Sequence, residues 1–141
     1  MNLPAYGVTA RVWLVRVIDA DTIIVRLNPT GRNDLPPVRL LDCWAAEIAG
    51  PEKVLGVPAK HYAESLVEEA EQLSLFIPDE ALRDDEGYVN VFGVVGKFQR
   101  IYGHVFIDSE TTLAEKLIEA GHAFATEQEL DDYLVSQGIR V

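Results

Sequence analysis

Val38–Glu47 reads VRLLDCWAAE. It starts as a strand, because Val38, Arg39, Leu40 and Leu41 follow a proline pair, Pro36-Pro37. It ends in a small-residue step, Ala45-Ala46, that delivers a carboxylate, Glu47. An arginine set in an apolar strand is costly to bury alone. Arg39 therefore needs an anionic partner, either a protein carboxylate or a ligand such as phosphate. Upstream lies an acidic step, Asp19-Ala20-Asp21-Thr22, between two apolar runs. Arginine, carboxylates and a hairpin together point to a phosphate site.

Working outward, Val8–Ile18 reads as a long strand and Thr22–Leu27 as a second. The connection between them is too short for a helix, so the pair forms an antiparallel hairpin. Asn28-Pro29-Thr30-Gly31 marks a loop, and Val38–Cys43 is the third strand of a meander. Ile48–Val57, with Gly50, Pro51 and Gly56, reads as a loop. Pro58 then suits the first turn of a helix. Ala59, Tyr62, Ala63, Leu66, Val67 and Ala70 follow at helical spacing, with Lys60, Glu64, Glu68 and Glu69 outside. Leu73–Ile77 is a short strand stopped by Pro78, and Asp79–Gly87 is an acidic loop. Tyr88–Val95 and Tyr102–Ile107 read as strands. Thr112-x-x-Glu115 and Thr126-x-x-Glu129 are capping boxes opening two helices, which end at Gly121 and Gly138. This order fits a small α+β fold: a β-barrel with helices. Its expected core includes Leu14, Ile23, Val25, Leu40, Leu66, Leu117 and Ile118.

A chain of 141 residues is most simply a single domain, residues 1–141, long enough to bury a core. No stretch approaches the roughly 20 apolar residues of a membrane helix. The N-terminal segment lacks the pattern of a signal peptide, so a cytoplasmic location is expected. The single cysteine, Cys43, excludes an internal disulfide and reads as a small buried hydrophobe. Twelve basic against 23 acidic residues give a net charge of −11. That argues against a general, tight nucleic-acid binder, though a local basic cleft is compatible with it. His61, His104 and His122 are too scattered for a metal motif and read as surface or helix-end residues.

The chain resembles the staphylococcal (thermo)nuclease family over roughly Val12 to Phe124. Four segments carry the likeness: Val17-Ile18-Asp19-Ala20-Asp21-Thr22; Arg39-Leu40-Leu41 with the later Glu47; Gly56-x-x-Ala59-Lys60; and Lys97-Phe98-Gln99-Arg100 with the strand to Asp108, Leu113-Ala114-Glu115 and Ala120-Gly121-His122-Ala123. The resemblance implies a five-stranded OB-fold barrel braced by three helices. It implies phosphodiester hydrolysis of single-stranded DNA or RNA with a calcium ion. Arg39 and Arg100 match the family's phosphate-binding arginines. Glu47 matches the glutamate that orients or activates water, and Asp21 the first calcium ligand. The second calcium aspartate falls on Trp44, its threonine neighbour on Ala45, and the proline before the glutamate on Ala46. The turn before Arg100, usually acidic-basic-aromatic-glycine, is Gly96-Lys97-Phe98-Gln99. Calcium takes 6–8 oxygen ligands, so calcium binding is expected to be weak. Asp19, or Asp42 with its strand parity to Trp44, would have to be recruited.

Each residue also has a structural reading. Asp19 and Asp21 are turn formers. Arg39 can pair with a buried carboxylate such as Glu47, and Arg100 can be a solvated loop residue. Trp13 and Trp44 suit a core or a cleft wall better than a base-stacking platform. Two functions follow: a nuclease-like phosphodiesterase, or a binding module that kept the barrel and lost cleavage.

Overall fold

The computed structural model describes residues 7–30, 34–78 and 100–140. They form a closed five-stranded mixed β-barrel in the order β1-β2-β3-β5-β4. The strands are β1 (Gly7–Asp19), β2 (Thr22–Arg26), β3 (Val38–Leu40), β4 (Leu73–Pro78) and β5 (Ile101–Phe106). Among the described residues the helices are α1 (Lys53–Glu69), α2 (Leu113–Glu119) and α3 (Glu127–Ser136). The expected segments Tyr88–Val95, Asp79–Gly87 and Gly96–Gln99 lie outside the described residues.

Closure depends on the length of β1. Gly7–Val12 pairs with β4, whereas Trp13–Asp19 pairs with β2. One strand is thus shared between two sheets. Register irregularities at Leu14/Arg16 and Val17/Asp19 occur in its second half, and such bulges let a strand bend and coil enough to close a small barrel. A parallel β3–β5 pair, with Arg39 opposite Tyr102, completes the ring. Alternate residues Ile23, Val25, Val38, Leu40, Leu75, Ile101 and Val105 fill the inside. Ile23 and Val25 are fully buried, while Leu14, Leu66 and Ile118 pack at the core's edge. Burying a side chain of this size contributes about 1.5–3 kcal/mol.

α1 presents the small residues Gly56, Ala59, Ala63 and Val67 to the barrel. Gly56 is required by contact: a Cβ there would lie 2.0 Å from the Glu47 carbonyl oxygen. α2 opens with the full Thr112/Glu115 capping box and buries Leu113, Ala114 and Leu117. At α3 the Thr126 hydroxyl accepts from the Glu129 N–H at 3.2 Å.

Three sequence expectations need correction. β3 stops at Leu40 rather than Cys43, because Leu41-Asp42 forms a turn with Asp42 at φ 52°. Aspartate tolerates this left-handed conformation better than most residues, and the strand parity assumed for Asp42 and Trp44 is lost. α1 begins at Lys53, not at Pro58. Pro51 is the first-turn proline, in a 3₁₀ turn over Gly50–Glu52 that leads into the helix. Pro58 therefore sits inside α1, where it forfeits one backbone bond. His104 is not a surface residue. It is 4% exposed, its ring stacks on Phe76 with centroids 6.4 Å apart, and its Nδ1 has no hydrogen-bond partner among the described residues. Burial lowers its pKa from the usual value, opposed by the charges of Asp42 and Glu115. No helix among the described residues is long and apolar enough to cross a membrane.

Candidate active site

The hairpin between β1 and β2 supplies the floor. The Asp19 carboxylate accepts the Asp21 N–H at 3.2 Å, the side-chain-to-backbone bond that makes aspartate a turn former. The Asp21 side chain reaches the loop after β3. Its Oδ2 accepts the Ala45 N–H at 2.9 Å, and its Oδ1 accepts the Thr22 hydroxyl at 3.0 Å. The turn reading of Asp19 is realised by the first of these bonds.

Arg39 lies on β3 directly opposite Thr22. Its Nη2 stands 3.5 Å from Asp21 Oδ2, so its carboxylate partner is Asp21, not the Glu47 weighed from sequence. Nη1 donates to the carbonyls of Leu40 at 2.6 Å and Cys43 at 2.5 Å. Those carbonyls are aimed at it by the Leu41-Asp42 turn. The guanidinium carbon lies 4.7 Å from the centre of the Trp44 ring, within cation–π range. Of five guanidinium N–H donors, both on Nη1 are spent on carbonyls. Nε and Nη2 keep donor capacity beyond those bonds.

Trp44 is a half-buried cleft wall, as the structural reading had it. Its backbone bonds both ways with Phe124, at 2.7 and 2.9 Å, which ties this loop to the segment between α2 and α3. Glu47 follows, exposed, with its N–H donating to Glu52 Oε1 at 3.2 Å. Arg100 immediately precedes β5. The Ile101 N–H donates to the Pro37 carbonyl at 2.8 Å, and that pairing brings Arg100 beside the start of β3.

Asp21, Arg39, Glu47 and Arg100 all line one cleft of about 710 Å³, together with Asp19, Thr22, Trp44 and Ala45. Asp42 does not line it. Four charged residues that sequence reading did not single out do so: Glu52, Glu127, Asp131 and Arg140. Arg140 bonds Glu52 across 88 positions of sequence, a contact with no local signature.

Among the described lining residues six are carboxylates and three are arginines, an acidic balance. The Asp19 carboxyl answers to that. Burial, then contact with the Asp21 carboxylate and its charge, raise its pKa from 3.8 to about 7. Cys43, behind the loop, is fully buried. Burial and then the Asp21 charge push its thiol up to about 12, so it is no nucleophile at neutral pH.

These donors do not fit a calcium site as they stand. Both Asp21 oxygens already accept hydrogen bonds, and burial and the neighbouring Asp21 carboxylate raise the Asp19 pKa. Trp44 and Ala45 line the cleft with an indole and a methyl group, which carry no oxygen for a calcium ion. Among the described residues no three His, Cys, Asp or Glu side chains are grouped to hold a metal ion. No family model matches the chain, and no curated protein matches it.

Proposed function

We propose that this cleft is a phosphodiester hydrolase site acting on single-stranded DNA or RNA, related in kind to the staphylococcal nuclease family. One observation carries the reading. Asp21, Arg39, Glu47 and Arg100 come from three separate stretches of the sequence and line a single cleft. Glu47 takes a proton from a water that attacks phosphorus, and the bond from phosphorus to the leaving oxygen breaks. Arg39 and Arg100 donate to the phosphoryl oxygens as negative charge builds on them. Asp21 fixes the Arg39 guanidinium. No step is routed through a metal ion, because the donor set does not fit one. The acidic lining repels the phosphate backbone and keeps ground-state affinity low.

A second reading is a binding module without cleavage. Trp44 stacked against Arg39, in place of a carboxylate, favours it. Fluorogenic single-stranded DNA and RNA oligonucleotides separate the two, with calcium, magnesium, manganese or a chelator. Slow cleavage that disappears in Glu47→Gln and falls in Arg100→Ala is the expected result. Salt-sensitive anisotropy binding with no cleavage under any condition would leave the binding module standing. Neither binding nor cleavage by folded protein would sink both.

A further inference from the structure

Arg140 reaches the cleft by a local device. Gly138 follows the last turn of α3 at φ 74°. Its N–H bonds to the Val135 carbonyl, and the Ile139 N–H bonds to the Leu134 carbonyl, each at 3.0 Å. This pair of bonds is a Schellman motif, which reverses the chain and needs a residue at ease in the left-handed region. The reversal carries Arg140 back toward the barrel. There Nη1 bonds Asp131 on α3, and Nη2 bonds Glu52 Oε2 at 2.8 Å.

Glu52 is the hinge of the arrangement. One oxygen receives Arg140 and the other accepts the Glu47 N–H at 3.2 Å. Its side chain is 15% exposed although it borders a cleft of like charge. Without a cation, Glu52 would be repelled by the carboxylates around it and drawn toward solvent. Glu47 is also restrained on its carbonyl side, where it packs directly on Gly56. Both ends of its peptide frame are thus held, one of them through Arg140.

We infer that Arg140 is a positioning residue for Glu47, acting through the Glu52 carboxylate that holds the Glu47 backbone N–H. The inference rests on the hydrolytic role proposed for Glu47. Arg140 spans Glu52 and Asp131 with separate nitrogens, a fork that a lysine ammonium reproduces only as a point charge.

The test uses the full chain with Arg140→Ala, Arg140→Lys and Glu52→Gln, and Lys116→Ala as control. Glu47 amide exchange is followed by NMR, beside kcat and KM on a fluorogenic single-stranded oligonucleotide. In Arg140→Ala the Glu47 amide is expected to exchange roughly three- to tenfold faster, the range set by one net hydrogen bond, with the β1 and β2 amides unchanged. Arg140→Lys lies between parent and alanine, and Lys116→Ala leaves the Glu47 amide unaltered. Where cleavage is measurable, kcat falls while KM holds. Glu47 exchange unchanged in both Arg140→Ala and Glu52→Gln would overturn the inference. So would a rise in KM alone, which makes Arg140 a substrate contact. A parent without cleavage defeats the hydrolase reading, and amide exchange still decides the positioning role.

Discussion

Among the described residues, arginine meets carboxylate at two places in this cleft, in the barrel wall and on its helical rim. In the wall, Arg39 and Asp21 keep 12% and 11% of their side-chain surface exposed. On the rim, Arg140 and Asp131 keep 45% and 36%. The wall pair is embedded in further bonds, from the Ala45 N–H and the Thr22 hydroxyl to Asp21, and from Arg39 to two carbonyls. Rim groups bond mainly to each other and to Glu52. The same charges are worth different amounts in these settings, because the effective dielectric is lower inside and water competes outside. Wall charges specify how the loop from Leu40 to Ala45 folds. Rim charges hold an existing backbone in place at little cost in stability.

The largest expected effect tests that contrast directly. Arg39→Leu leaves two carbonyls and a mostly buried carboxylate without their cation, and should lower stability by about 3 kcal/mol. Arg140→Leu should change it by less than about 1 kcal/mol. Urea denaturation measures both, and equal losses would erase the distinction between wall and rim.

Gly56→Ala asks whether the rim is held by packing as well as by charge. A methyl group there meets the Glu47 carbonyl, so α1 or the loop must shift. Overpacking of this kind costs about 2 kcal/mol. The Glu47 amide resonance should move with it. Unaltered stability together with an unaltered resonance would show that the contact yields easily.

The smallest effect is a pH dependence in the wall. Asp19 has its pKa raised to about 7 in the fold, so between about pH 4 and pH 7 the folded chain holds a proton that the unfolded chain has lost. Its contribution to stability is therefore full below pH 4, falls as pH rises to 7, and is flat beyond. Asp19→Asn keeps the carbonyl oxygen that caps the turn. It should remove this slope and raise stability at pH 8 by about 1 kcal/mol, the figure being reduced for solvent screening. Carboxyl NMR of Asp19 titrating near pH 4 would contradict it.

What the sequence determined by itself was local. The Asp19-Ala20-Asp21 turn, the helical spacing from Ala59 to Ala70, the Thr112 capping box and the Gly121 and Gly138 stops all act within a few residues. Their hydrogen bonds and dihedral preferences are written in adjacent letters. Arg39's need for an anion was legible for the same reason, since a strand arginine between apolar neighbours carries its own desolvation cost. Tertiary structure alone decided which anion it meets. Asp21 wins over Glu47 because β2 and β3 pair in a register that sets Thr22 opposite Arg39. The turn at Asp42, invisible to a period-two reading, follows from the loop bending so that its carbonyls face that guanidinium. His104 is buried although its strand position gave no sign of it, because burial depends on what packs over the barrel. Arg140 could not be assigned to the cleft from its neighbours, since its partner Glu52 lies far away in sequence. Contacts of that span exist only once the barrel has closed and α3 has docked, and closure is a property of the whole chain.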